Sequence, residues 1–296
     1  MAPGKDQGLT GLVVVDKEAG WTSHDVVARC RRLFAQRRVG HAGTLDPDAT
    51  GLLLVGLGRF TRMLRFVQGL PKSYVGEVVL GTSTSSLDAS GEVTGTWDMS
   101  DVTLEDARAV ARKLTGRIQQ IPPMVSAIKV GGTRLHTLAR QGVEIDREPR
   151  WVTVDRFDLS EVPGDPGVFS IEVECSTGTY VRSLASDLGE ALGGGAHLRG
   201  LRRTKVGSFG LAEAHRLDEL APEHVLTPAQ GLRDLQRLEV GSEAARRVGH
   251  GLPVDRAALD VQGDGPFAVV DRSGRLMAVY ESSGPDRIVA ACVIAS

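Results

Sequence analysis

Between Val39 and Gly58 the chain passes through a loop rich in Gly and Thr, with an Asp46-Pro47 pair inside it, and then directly into the apolar stretch Leu52 to Val55. A basic amphipathic segment carrying Arg59, Arg62 and Arg65 follows. Gly and Asp-Pro interrupt regular structure, whereas apolar residues are driven out of water. The stretch therefore sets a polar loop hard against apolar chain, and it holds the most unusual local chemistry in the sequence.

Around that loop the patterning is mixed α and β. Leu12 to Val15 reads as a buried strand, and Ser23 offers an N-cap to a helix whose Val26, Val27 and Leu33 recur at helical spacing. Tyr74 to Leu80 alternates as a strand, Gly81 to Gly91 is a polar loop, and Thr103 with Asp106 forms a capping box for a helix ending near Gly116. Pro122 and Pro123 stop regular structure, and residues 121–150 are mixed and basic, with a short helical pattern at Leu135 to Arg140. They read as an insertion. Two alternating strands, Trp151 to Leu159 and Val168 to Cys175, precede a helical pattern from Tyr180 to Leu192. Beyond residue 230 the short β-prone runs Phe267 to Val270, Leu276 to Tyr280 and Ile288 to Ile294 predict a small separate β domain. The expected organisation is a flexible start at 1–10, a large domain at 11–229 and the β domain at 230–296.

With 35 Lys and Arg against 37 Asp and Glu, the net charge of -2 gives no global signal for a polyanionic partner. Any nucleic-acid surface has to be local, and Arg29 to Arg38 and Arg199 to Lys205 are the two basic runs that suit phosphate. Such runs are ordinarily just solvated faces. Cys30, Cys175 and Cys292 lie far apart without zinc spacing and are expected as buried thiols in a reducing compartment. Leu12 to Val15 is too short for a signal segment or a membrane span, so a cytoplasmic location is expected. There is no Walker loop, dinucleotide fingerprint or zinc-ligand cluster, so neither a cofactor nor a metal is expected.

The run Gly40-His41-Ala42-Gly43-Thr44-Leu45-Asp46-Pro47-Asp48-Ala49-Thr50-Gly51 closely resembles the catalytic loop of the TruB family of pseudouridine synthases. Further blocks agree in order: Asp16-Lys17 with Gly20 and Thr22-Ser23; Lys72-Ser73-Tyr74; Gln120-Ile121-Pro122-Pro123 with Ser126, Ala127 and Lys129; Gly178-Thr179-Tyr180-Val181-Arg182; and Leu201-Arg202-Arg203. The resemblance spans Gly11 to Phe209. Glu18, Val125 and His136 depart from the proline, aromatic residue and tyrosine common in the family, outside the catalytic loop.

The resemblance implies an α/β (α+β) pseudouridine-synthase fold, with a large mixed, mainly antiparallel sheet flanked by helices and a PUA-like C-terminal β domain. It implies isomerisation of the T-loop uridine of tRNA, at position 55, by a monomer that flips its target base and needs no protein partner. Asp46 becomes the catalytic carboxylate, either attacking C1′ or taking the C2′ proton, and both routes stay open. Arg182 would hold that carboxylate ionised, Tyr74 would stack on the base, and His41 would fill the space the base vacates. Tyr180 and Leu201 would wall the site. Lys17, Asp88, Lys129 and Arg202 complete the substrate-binding set, although an Asx turn explains Asp88 as simply. Two other classes are weighed against this reading. An RNA chaperone of the same fold would not require Asp46, Tyr74 and Arg182 together. A hydrolytic nucleosidase would want a second catalytic carboxylate where the motif supplies an arginine.

Overall fold

The computed structural model describes residues 8–126, 129–130, 133–134, 143 and 145–294. The helical pattern at Leu135 to Arg140 and residues 1–7 lie outside the described residues. The chain groups into two compact units: Met1–Pro47 with Gly51–Leu70 and Gly207–Ser296, and Asp48–Thr50 with Pro71–Val206.

The first unit opens with β1 (Gly11–Lys17), α1 (Ser23–Leu33), β2 (Val39–Ala42) and β3 (Thr50–Leu57), and α2 (Leu64–Gln68) follows. Both β1 and β2 pair antiparallel with β3, so that Val13 and His41 each face Val55. Leu12 to Val15 and Leu52 to Val55 are withdrawn from water on both faces of their strands, which is why they read as unbroken apolar runs. The helix α1 is capped by Thr22, whose hydroxyl accepts the Asp25 N–H while the Asp25 carboxylate accepts the Thr22 N–H. Ser23, expected as the cap, is instead the first helical residue. Both hydroxyls have the right chemistry, but only Thr22 has the extended backbone that a cap requires (φ -75°, ψ 155°).

The second unit carries β4 (Lys72–Leu80), β5 (Thr82–Thr84), β6 (Val93–Thr96), α3 (Leu104–Lys113), β7 (Gly116–Gln120), β8 (Lys129–Val130), β9 (Thr133–Arg134), β10 (Arg150–Glu161), β11 (Val168–Cys175), α4 (Val181–Ala191) and β12 (Ala196–Val206). Its sheet runs β12-β4-β11-β10-β7, antiparallel throughout. The alternation of β4 buries Lys72, Tyr74, Gly76, Val78 and Leu80 on one face. The segment Gly81 to Gly91, expected as plain loop, contributes β5 to a small hairpin with β6. Thr103 and Asp106 form the expected capping box on α3.

After Val206 come β13 (Phe209–Gly210), α5 (Pro228–Gly231), β14 (Gln236–Val240), α6 (Ser242–Gly249), β15 (Val254–Asp255), β16 (Phe267–Asp271), β17 (Leu276–Ser282) and β18 (Arg287–Val293). A five-stranded sheet in the order β14-β16-β17-β18-β15 closes over Val248, Phe267, Val269, Tyr280 and Ile288. Its one parallel pair is β14 with β16. The Tyr280 hydroxyl donates to the Leu252 carbonyl at 2.8 Å, so the buried ring keeps its polar end satisfied. Cys30, Cys175 and Cys292 are free and buried. Among the described residues no helix is long and apolar enough to cross a membrane.

Candidate active site

In the first unit the polar loop leaves β2 at Ala42 and is held at two points that flank Asp46. On the N-terminal side the Ser23 hydroxyl accepts the Leu45 N–H at 2.9 Å and donates to the Leu45 carbonyl at 3.2 Å. On the C-terminal side the Pro47 carbonyl accepts from Lys17 Nζ at 2.9 Å and from the Gly20 N–H at 3.0 Å. The Leu45 side chain is buried, whereas Asp46 between these holds is partly exposed. The loop thus presents one carboxylate from a backbone pinned before and after it.

Lys17 lies beneath the loop. It is fully buried, and Nζ donates to the carbonyls of Glu18, Trp21 and Pro47. A buried ammonium with three backbone carbonyls as acceptors stays paired in the interior and helps to hold the loop. His41 stands on β2 opposite Val55, and its ring meets that of His24, on the first turn of α1, edge to face at 5.5 Å between centroids. His24 carried no signal of its own in the sequence.

In the second unit Tyr74 lies in the middle of the sheet, between Val173 on β11 and Arg203 on β12. Directly opposed residues of antiparallel strands share a face, so Arg203 lies on the face of Tyr74, while Arg202 lies opposite Val75 on the other face. The Leu201-Arg202-Arg203 block therefore brings Arg203, 1 % exposed, beside Tyr74 and sets Arg202 on the opposite face of the sheet. Leu201 sits in a register shift of β12 between Arg199 and Arg202, opposite Gly76. Such bulges re-aim side chains. A Cβ on Gly76 would lie 3.5 Å from the Leu201 Cα and the Arg199 carbonyl, in ordinary contact with the backbone of the bulge. At the end of the same face, burial together with the charge of Arg203 pulls the Lys72 ammonium down to about 8.

Arg182, on the first turn of α4, is buried. Nη1 donates to the Ser86 carbonyl and Nη2 to the Val125 carbonyl, both at 2.8 Å, and Nη1 lies 3.3 Å from Asp88 Oδ2. Asp88 uses its other oxygen as a turn cap, accepting Ser86 Oγ and the Ser90 N–H and Oγ. One carboxylate thus forms the Asx turn weighed for it and also lies against the Arg182 guanidinium. Tyr180 is the N-cap residue of α4, and its backbone is held by Gln120, which accepts the Tyr180 N–H at 2.7 Å and donates to its carbonyl at 3.1 Å. Gln120 was visible only as part of a motif block. Its role requires a cross-chain contact between positions 60 apart.

Lys129 opens the two-residue strand β8 opposite Arg134. In the second basic run Arg199 pairs with Glu77 at 2.6 Å and Asp165 at 2.7 Å and Arg203 is buried, whereas Lys205 is exposed. Among the described residues no group of three or more His, Cys, Asp and Glu side chains could hold a metal ion.

Comparison with known proteins agrees with this arrangement. Residues 31–181 match the model of the TruB family pseudouridylate synthase N-terminal domain, and residues 182–243 match that of the tRNA pseudouridylate synthase B C-terminal domain. The chain is 45% identical over 284 residues to tRNA pseudouridine synthase B of Mycobacterium tuberculosis (strain ATCC 25618 / H37Rv), covering 93% of this chain and 92% of that protein. It is 46% identical over 281 residues to the protein of that name from Rhodococcus jostii (strain RHA1), covering 93% and 90%. A chain of a solved Cbf5-Nop10-Gar1 complex has the same fold, with a TM-score of 0.74 at 24% identity over 96% of this chain and 84% of that one. A chain of an H/ACA RNP bound to a substrate RNA superposes with a TM-score of 0.73 at 21% identity, covering 97% and 86%. The chain belongs to the TruB family of pseudouridylate synthases.

Proposed function

We propose that the chain is a tRNA pseudouridine synthase that converts the T-loop uridine to pseudouridine, with Asp46 as the catalytic carboxylate. The observation that carries this reading is the loop around Asp46, pinned at Leu45 and Pro47 on either side of that carboxylate, in a chain 45% identical to tRNA pseudouridine synthase B. The reaction breaks the bond from C1′ to N1 and makes one from C1′ to C5; C5 gives up its proton and N1 gains one. It is redox-neutral and needs no co-reactant. An ionised carboxylate serves it either by bonding to C1′ while the uracil turns or by taking the C2′ proton.

Tyr74 is assigned to stack on the base, with Leu201, in the bulge of β12, as a wall of the site. His41 is assigned to fill the space the flipped nucleotide leaves, since extrusion is the way an enzyme reaches a base held inside a structured loop. Arg182 as counter-charge to the catalytic carboxylate, a PUA-like module at 230–296 that meets the acceptor side of tRNA, a monomeric state and a cytoplasmic location belong to the same proposal. The test is release of tritium from tRNA labelled at C5 of uridine, with the modified nucleotide mapped. Release confined to the T-loop uridine and abolished by Asp46→Asn supports the assignment. Binding of tRNA by the wild-type protein without any release would show an RNA chaperone instead.

A further inference from the structure

We infer that Ser23 is a positioning residue for Asp46. The inference rests on the assignment of Asp46 as the catalytic carboxylate and concerns what holds it in place. Ser23 makes both of its hydrogen bonds to one residue, Leu45, which immediately precedes Asp46: it accepts the N–H at 2.9 Å and donates its hydroxyl proton to the carbonyl at 3.2 Å. Ser23 is 1 % exposed, so no water can take over these bonds if the hydroxyl is removed. As the first residue of α1, it is fixed by a helix that Thr22 and Asp25 cap independently.

On the far side of Asp46 the restraint is different in kind. The Pro47 ring limits the backbone of the residue before it to extended conformations, and the Pro47 carbonyl is held by Lys17 and the Gly20 N–H. These contacts fix where the loop leaves Asp46, and Ser23 fixes where it arrives. Removing the Ser23 hydroxyl takes away both bonds that fix the backbone of the residue before Asp46. A displacement of about 1 Å at a reacting group is enough to cost about 10²-fold in rate.

The test is steady-state tritium release with Ser23→Ala, Ser23→Cys and Thr22→Ala in the full chain. Ser23→Ala should lower kcat roughly 10- to 100-fold while KM for tRNA stays within about twofold, because the RNA-binding surface is untouched. Ser23→Cys, nearly the same size with a weaker hydrogen-bonding group, should fall between serine and alanine. Thr22→Ala removes the cap of the same helix and should lower Tm with kcat retained. The inference is overturned if Ser23→Ala keeps its kcat, if the cysteine variant is no better than alanine, or if Thr22→Ala loses kcat to the same degree. Should Ser23→Ala not fold, the ranking of Ser23→Cys against Thr22→Ala decides the matter. Asp46→Asn separates the two claims: full activity there removes the catalytic assignment itself, whereas an inactive Asp46→Asn beside a fully active Ser23→Ala removes only the role of Ser23.

Discussion

The Asp88 carboxylate lies 3.3 Å from the Arg182 guanidinium and spends its second oxygen on the turn formed by Ser86 and Ser90. Because the two oxygens have separate partners, Asp88→Asn can keep the turn bonds through its amide oxygen while removing the negative charge from Arg182. The expected outcome is a fall in kcat of about 10-fold or more with little change in Tm, since charge-assisted contacts exceed neutral ones. Asp88→Ala should lose the turn as well and be less stable by about 1 kcal/mol. Thermal melts beside tritium-release rates separate the two effects.

Arg182 itself should not tolerate lysine. Its fork reaches two carbonyls, Ser86 and Val125, from two different nitrogens. The lysine side chain is shorter and its one nitrogen cannot stand at both the Nη1 and the Nη2 position, so Arg182→Lys loses at least one of the two contacts. A loss of activity of at least 10-fold is expected, with destabilisation of about 1–3 kcal/mol in urea unfolding.

Gln120 to Tyr180 is the second reciprocal hold in the chain, and it sets the start of α4 two residues before Arg182. Gln120→Leu keeps roughly the same volume but strands the Tyr180 N–H, while the Tyr180 carbonyl keeps the Leu184 N–H, for an expected cost of about 1–2 kcal/mol. Activity should fall with it. A variant as stable and as active as the wild type would show that the entry to α4 is set elsewhere.

Gly76 predicts a size limit. Its Cβ position is in ordinary contact with the Leu201 Cα and the Arg199 carbonyl, so Gly76→Ala should fold and work. Gly76→Val has two further methyl groups that must press on the bulge at Leu201 and on the Leu198 side chain, so KM for tRNA should rise at least 10-fold while the circular dichroism spectrum is unchanged.

Asp187, on α4, provides a pH test of stability. Burial, reinforced by the charge of Glu190, pushes its carboxyl up to about 6 from an ordinary value of 3.8. Between those values the folded protein holds a proton that the unfolded chain has released, so this group makes stability fall as pH rises through the interval. Asp187→Asn should therefore raise stability at pH 7.5 by on the order of 1 to 3 kcal/mol. That gain should shrink through pH 6 and vanish below about pH 3.8. Chemical unfolding across this range reads it directly.

Much of this protein was legible from local pattern alone. The alternation of Tyr74 to Leu80, the unbroken apolar runs at Leu12 and Leu52, the capping box at Thr103 and the three runs of the tail all became the elements they predicted, because strand pleat and helix capping act over a few neighbouring residues. The Asp46 loop was likewise visible as a motif. Local pattern could not show which of two adjacent hydroxyls caps α1, that Lys17 is buried under the loop, that a bulge at Leu201 puts Arg203 and not Arg202 beside Tyr74, or that Ser23 and Gln120 each grip a backbone segment far along the chain. Those outcomes depend on strand register and on hydrogen bonds between residues 22 to 60 positions apart. A side chain's chemistry is written in the sequence, but which buried polar group it satisfies is decided only when tertiary packing excludes water and leaves that group a single partner.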